Sequence, residues 1–269
     1  MAKTILITGS TDGIGLETAK MLVSQGHEVL LHGRSPSKLE NTETLLSALP
    51  GDGRVESYEA DLSRMADVES LLKAVSAKHD RLDVLINNAG VFKISNPMTE
   101  DGLDARFVVN AIAPYLLTQR LLPLMSASGR VVNVSSAAQS PVNLDALTGR
   151  TRLPEDFAAY AQSKLALTMW SRHLALSLKA DGPAIIAVNP GSMLGSKMVK
   201  QAFGVPGGDI RIGADILTRA ALSDEFATAS GEYFDNDLGK FAPPYPDALD
   251  AQKCQAVVSA IETVISINN

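Results

Sequence analysis

A single cysteine, only four histidines and no surplus of positive charge mark this chain of 269 residues, and each scarcity removes a class of function. With Cys254 alone no internal disulfide can form, and a reducing cytoplasm is the natural compartment. His27, His32, His79 and His173 are scattered, with neither HExxH spacing nor a cysteine cluster to complete a zinc site. All four read as structural, and no metal is expected. The net charge of −6 leaves no basic stripe for phosphate backbones, which argues against DNA or RNA as principal partner while leaving a local anion site open. No apolar run approaches the roughly 18 residues needed to cross a bilayer, and the first strand starts directly after Met1-Ala2 without a signal-peptide pattern. A cytoplasmic protein without a membrane span is the expectation. Internal repeats, low-complexity tracts and linker-like shifts of composition are absent as well.

What is present is a composition 45% hydrophobic, enough to bury a full core, and a regular rhythm of short and long apolar segments. Buried strands are predicted at 4–8, 29–32, 55–59, 84–86, 131–134 and 185–188, and helices at 14–25, 37–49, 66–78, 103–124 and 157–179. Breaks fall at Gly26, Pro50-Gly51 and Gly182-Pro183. This alternation implies right-handed βαβ units and an α/β fold: one domain over 1–269, a doubly wound, Rossmann-type parallel sheet with helices on both faces. Two connections are too long for tight turns, an insertion near 137–156 and a Gly-, Met- and Ser-rich segment near 192–209. Long connections at strand carboxyl ends are where such sheets bind ligands, although surface insertions would look the same.

The first strand runs into TGSTDGIG, Thr8 to Gly15, and then into a helix. Its three glycines act separately, since Gly9 makes a tight turn, Gly13 lets backbone approach a pyrophosphate, and Gly15 packs helix on strand. The helix start then offers free N–H groups to that phosphate. After the second strand stands His32-Gly33-Arg34-Ser35, where NAD sites usually present a carboxylate to the ribose. Here no carboxylate repels a phosphate and Arg34 can hold one, so NADP(H) is favoured over NAD(H); an exposed turn arginine is the plainer reading. Asn87-Asn88-Ala89-Gly90 follows the fourth strand, where small residues admit a flat ligand and the amides can tie strand ends together. Ser135-Ser136 closes the next strand without the His and Asp of a hydrolase, so a hydroxyl donating to a substrate oxygen fits better than a nucleophile. Tyr160 and Lys164, in AAYAQSKLAL, share a helical face. An ammonium beside a phenol favours the phenolate and makes an acid/base pair, although this spacing arises by chance on many helices.

TGSTDGIG, NNAG, the strand-end Ser136 and YAQSK together resemble the short-chain dehydrogenase/reductase family over essentially the whole chain. By that likeness Tyr160 is the proton donor or acceptor, Lys164 lowers its pKa, and both touch the cofactor, Lys164 through the nicotinamide ribose. Ser136 polarises the carbonyl, Ser135 is structural, and Asn110, in FVVNAIAP, holds a relay water. The turn residues Ser10, Thr11, Asp12 and Ile14 join the three glycines as cofactor contacts. Asp61 and Leu62 lie beside the adenine, Asn87, Ala89 and Gly90 line the cofactor, and Pro190-Gly191 opens the nicotinamide pocket. Backbone at Met193 holds the carboxamide. Two departures stand out: Ser136 and Tyr160 are 24 positions apart, more than in compact members, and Gly195 replaces the threonine after Pro-Gly, with Ser196 next to it as substitute. The longer gap and the late SGEYFDN resemble the branch of retinol dehydrogenases and related NADP-linked carbonyl reductases.

The reaction so implied is reversible hydride transfer between nicotinamide and a carbonyl or alcohol of a mostly apolar small molecule. Met193, Met198 and Phe203 of the 192–209 cover, with Val91, Phe92 and the 137–156 insertion, would form an apolar substrate pocket. An alkene (enone) reductase and a non-catalytic NADP(H)-sensing protein are the alternatives. A homodimer or homotetramer is expected, because Gln162, Ala166, Met169 and His173 stripe the far face of the Tyr160 helix, resembling the family's dimer-forming helix; that stripe could equally face a helix of the same chain.

Overall fold

The computed structural model describes residues 1–179 and 181–268. Its sheet has the strand order β3-β2-β1-β4-β5-β6-β7-β8. The first six strands are β1 Thr4–Ile7, β2 Glu28–Gly33, β3 Arg54–Glu59, β4 Val84–Asn87, β5 Arg130–Val134 and β6 Ala184–Asn189, each within a residue of the sequence expectation. All pair in parallel, and β7 Tyr233–Asp235 joins β6 in parallel before β8 Lys240–Ala242 turns back antiparallel.

Alternation along each strand sorts side chains onto two faces. Ile5, Ile7, Val29, Leu31, Val84, Ile86, Val132 and Ile186 meet helices α1 Gly13–Ser24, α2 Pro36–Ser47 and α9 Arg211–Leu222 on one side. Leu6, Leu30, Leu85, Val131 and Ile185 meet the other layer. That layer contains α3 Met65–Lys78; α4 Ala105–Phe107, running through a π-helical turn at Val108–Ile112 into α5 Ala113–Leu121; and α7 Asp156–Leu178. Both faces of the central strands β1, β2, β4, β5 and β6 are therefore dry, as parallel strands with near-continuous apolar sequence require.

Helix α7 is the central helix of its layer, with Trp170 fully buried. Its stripe of Ala166 and Met169, expected at a subunit interface, lies instead in the core with Val257, Val258 and Ile261 of the last helix, α10 Ala251–Asn268. Gln162, on the same stripe, accepts a hydrogen bond from Asn143 N–H at 2.9 Å. The chain itself covers that face, which therefore gives no support for a dimer through it.

The continuous helix Ala105–Leu124 is long and apolar enough to cross a membrane by composition, contrary to the reading of the sequence, yet 72% of that window is buried inside the protein. Its hydropathy follows from packing between α3, α7 and the sheet.

Candidate active site

Strand order reverses between β1 and β4, so their connections diverge and leave a crevice at the carboxyl ends of the strands. A cleft of about 630 Å³ opens there. At its floor the glycine-rich turn is held by contacts that only glycine permits. Gly9 has φ +66°, and a Cβ there would lie 2.9 Å from Ala89 Cα; at Gly15 a Cβ would overlap Gly9 O and the Asn88 side-chain nitrogen. Asn88 closes this contact, donating to Thr8 O at 2.9 Å and Gly9 O at 3.1 Å. Asp12 caps α1, accepting from Gly13 N–H at 2.9 Å.

Gly9, Thr11, Asp12, Gly13 and Ile14 line the cleft, whereas Ser10 and Gly15 lie behind its wall. Ser10 is fully buried, its Oγ accepting from His32 N–H at 2.9 Å. His32 holds the turn from below: its Nδ1 accepts from Gly9 N–H at 3.1 Å, which leaves Nε2 to donate to Ala60 O at 3.1 Å. Toward the adenosine end the wall is Arg34, Asp61 and Leu62. Lys38 and Lys197 both reach Asp12 Oδ2, at 3.5 Å and 2.5 Å. Partial burial opposes charge on Asp12, but Lys197, Gly13 N–H and Lys38 outweigh it and hold the carboxyl below its usual range.

At the other end Ser136, Tyr160 and Lys164 face the same space. Lys164 is buried; its Nζ donates to Val134 O at 2.7 Å and stands 5.8 Å from the centre of the Tyr160 ring. Burial pulls its pKa down to about 8. The Tyr160 phenol departs from the sequence expectation: burial pushes its pKa up, and the influence that opposes burial comes from the Ser136 side chain rather than from Lys164. The ammonium is turned to a carbonyl and is itself desolvated, so it does not acidify the phenol in this arrangement.

Asn110 sits in the π-helical turn, a distortion that often marks a functional site. Its Oδ1 accepts from Val91 N–H at 2.8 Å, and its Nδ2 donates to Val91 O and Ser163 Oγ, both at 2.9 Å. It lies behind the wall, near Lys164: a Cβ on Gly90 would be 3.4 Å from Asn110 Oδ1 and 3.6 Å from Lys164 Nζ. Ser135 is buried against Thr168 Oγ1 at 2.7 Å. Asn87 is not in the cleft; its amide donates to Asn133 Oδ1 at 2.8 Å and Thr118 Oγ1 at 3.1 Å beneath the sheet. Ala89 and Gly90 do line the cleft, with Asn88 in the place expected of Asn87.

The 192–209 segment carries α8 Lys197–Phe203 and is clipped at its base, Gly195 N–H to Gly208 O and Gly208 N–H to Met193 O, each 2.8 Å. Pro190, Gly191, Met193 and Ser196 border the cleft. Met193 has φ +54°, a left-handed conformation costing about 1–2 kcal/mol for a side chain of this kind. Ser196 caps α8, its Oγ accepting from Val199 N–H at 3.2 Å.

The family described as short chain dehydrogenase matches residues 3–204. The chain belongs to that family. Retinol dehydrogenase 13 of Homo sapiens is 31% identical over 268 residues, spanning 93% of this chain and 80% of the relative. Among solved structures, an uncharacterized protein from Mycobacterium Paratuberculosis aligns with TM-score 0.80 and 28% identity, covering 98% of this chain and 93% of its own. The landomycin C-6 ketoreductase with bound NADP and rabelomycin aligns with TM-score 0.68 and 28% identity, covering 87% of this chain and 94% of its own.

This short-chain dehydrogenase is thus an oxidoreductase acting on CH–OH groups with a nicotinamide cofactor. The cleft fits such a group: glycines at the turn keep the floor free of side chains, cations stand at one end, and the Tyr160 hydroxyl group stands at the other. Among the described residues no group of three or more His, Cys, Asp or Glu side chains is placed to hold a metal ion.

The site also draws on residues that the sequence does not single out. Asp237, in the β7–β8 turn, accepts from Ser192 N–H at 2.8 Å, Ser192 Oγ at 2.6 Å and Asn189 Nδ2 at 2.9 Å, fastening the cover's first residue. His32 and Asn133 are legible in the sequence only as residue types; nothing in their spacing reveals the partners they find in space.

Proposed function

We propose that the chain is an NADP(H)-dependent enzyme that interconverts a carbonyl and an alcohol on a mostly apolar small molecule, with Tyr160, Ser136, Lys164 and Asn110 as its working residues. The observation that carries this reading is the convergence of Ser136, Tyr160 and Lys164 at the inner end of a cleft whose outer end is lined by Arg34. When bound there, a nicotinamide would supply or accept the hydride. Arg34 would hold the 2′-phosphate, the turn from Gly9 to Ile14 the pyrophosphate, and Gly90, Pro190, Gly191, Met193 and Ser196 would border the nicotinamide.

In the reducing direction Tyr160 Oη gives its proton to the substrate oxygen. Ser136 Oγ accepts from Ala138 N–H at 3.1 Å, so its own proton is free to stabilise the charge that develops there. Lys164 returns protons toward the phenol, and Asn110 fixes the loop and helix between which that path runs. The substrate's body rests on Phe92, whose ring lies 4.8 Å from Tyr160 and 6.0 Å from Phe203, with Phe157 beyond at 6.2 Å. The retinol in the human relative's name and the rabelomycin bound to the ketoreductase accord with such a wall.

A panel of ketones and aldehydes with NADPH, read by loss of absorbance, tests the reading. Tyr160→Phe should abolish turnover while NADPH binding, followed by fluorescence, survives. Product analysis on an enone separates carbonyl from alkene reduction, and a wild-type protein that binds NADPH but reduces nothing would support a sensing role. Because α10 covers the Ala166–Met169 stripe, a homodimer or homotetramer needs another face; sedimentation at micromolar concentration measures the state.

A further inference from the structure

The hydroxyl that must be aimed at the reacting oxygen belongs to a residue the sheet does not hold. The ladder between β5 and β6 ends with Ser135 N–H donating to Val188 O at 2.8 Å, one residue before Ser136. Two side chains from separate parts of the chain close instead on the Ser136 carbonyl: Tyr233 Oη at 3.1 Å and Gln139 Nε2 at 2.8 Å. Tyr233 opens β7 and pairs with Ala187 of β6, so its phenol reaches across a whole strand to the end of β5. Gln139 lies at the start of the long 137–156 connection, and its amide meets the same carbonyl as the Tyr233 hydroxyl. The two donors thus form one group around a single acceptor. Gln139 Oε1 is buried without a hydrogen-bond partner in the structure, a cost that is tolerated when the other end of the amide is fixed. Tyr233 is 5% exposed and does not line the cleft, so its phenol is placed for this carbonyl and not for a ligand.

We propose that Tyr233 and Gln139 are positioning residues for Ser136, gripping its carbonyl so that the peptide plane, and with it the Oγ, is fixed toward the substrate oxygen and Tyr160. The inference rests on Ser136 being the hydroxyl that stabilises that oxygen, and it gives a role to the Tyr in SGEYFDN and to the glutamine that follows the strand-end serines. A carbonyl held by two donors cannot rotate without breaking both bonds, and small displacements of a polarising group are expensive in rate.

The test uses Tyr233→Phe, which keeps the ring in the core, and Gln139→Leu, each in the wild-type and the Ser136→Ala backgrounds. With 4-nitrobenzaldehyde and NADPH, each single change should lower kcat about two- to tenfold, the worth of one hydrogen bond, with the KM for NADPH unchanged. In the Ser136→Ala background neither should lower kcat further. A second readout needs no substrate: the tyrosinate absorbance of Tyr160, taken as the difference between each protein and its Tyr160→Phe counterpart. The Ser136 side chain lowers the Tyr160 pKa, so Tyr233→Phe and Gln139→Leu should raise it, and should not do so once Ser136 is alanine. The same fractional loss in both backgrounds, or an unmoved Tyr160 titration, overturns the proposal. If the wild-type protein reduces no carbonyl, the carbonyl-reductase reading falls while the titration still decides the clamp.

Discussion

Mild acid should weaken this protein through one side chain, His32. The imidazole is 3% exposed, accepts Gly9 N–H on Nδ1 and donates from Nε2 to Ala60 O. Burial pulls its pKa down to about 4 from 6.5, against the Ala60 carbonyl and Asp61, which favour the cation. The unfolded chain therefore takes up a proton first: between those two values it binds more protons than the native state, and stability rises with pH. The contribution is complete above pH 6.5 and is lost as pH falls toward the folded value of about 4. Fully expressed, the gap is worth about 3 kcal/mol, of which about 2 kcal/mol is felt near pH 5. The perturbation is His32→Asn, which retains an acceptor for Gly9 N–H but cannot titrate. Trp170, the one tryptophan and fully buried, reports unfolding in urea by its fluorescence. Wild type should lose about 2 kcal/mol more than the variant between about pH 7 and pH 5, since the carboxylates and His27 titrate in both proteins. Equal losses in the two proteins would refute the reasoning, because they would mean that the imidazole accepts its proton as readily folded as unfolded.

Three further outcomes are expected. Arg106 is 1% exposed and pairs with Asp104 at 2.6 Å and Asp156 at 2.5 Å; Arg106→Met strands the buried Asp104 carboxylate and should cost about 3–5 kcal/mol in the same urea assay, much of it recovered by adding Asp104→Leu. In Gly15→Ala the new methyl overlaps the Gly9 carbonyl, a backbone atom that cannot swing aside, so stability should drop about 1–3 kcal/mol and NADPH binding by calorimetry should weaken with it. Arg34→Ala should reduce affinity for NADPH but leave NADH unchanged; an equal loss for both would show that the guanidinium does not meet the 2′-phosphate.

The alternating core is legible in the sequence because its central strands are short apolar runs and glycine or proline follows three of the five predicted helices, at Gly26, Pro50-Gly51 and Gly182-Pro183. β7 and β8 are not, since three residues each are too few to show a period. Among site residues, the pleat decides what sequence cannot: Asn87 ends β4 and turns beneath the sheet, while Asn88, one position on, turns toward the glycine-rich turn and the cleft. The stripe of Ala166 and Met169 can be recognised as buried without its partner being identifiable. Periodicity states which face of a helix is apolar; whether another subunit or α10 covers it depends on a segment some ninety residues later.

The same gap between type and environment governs the Tyr160–Lys164 pair. Four-residue spacing brings the two groups onto one face and suggests that the ammonium acidifies the phenol, but the pKa of each is set by how much water it has lost. Here both are desolvated, the phenol moves up from 10.0 and the ammonium moves down from 10.5 to about 8, so the two values cross and separate, the ammonium becoming the more acidic group. A phenol so raised stays protonated and is ready to donate, which suits the reducing direction. An amine near 8 is close to losing its charge under mildly alkaline conditions, which suits a group that hands protons on. Ser136 is the group that opposes burial at Tyr160, so a clamp that fixes the Ser136 peptide by its carbonyl reaches the chemistry through the Ser136 side chain.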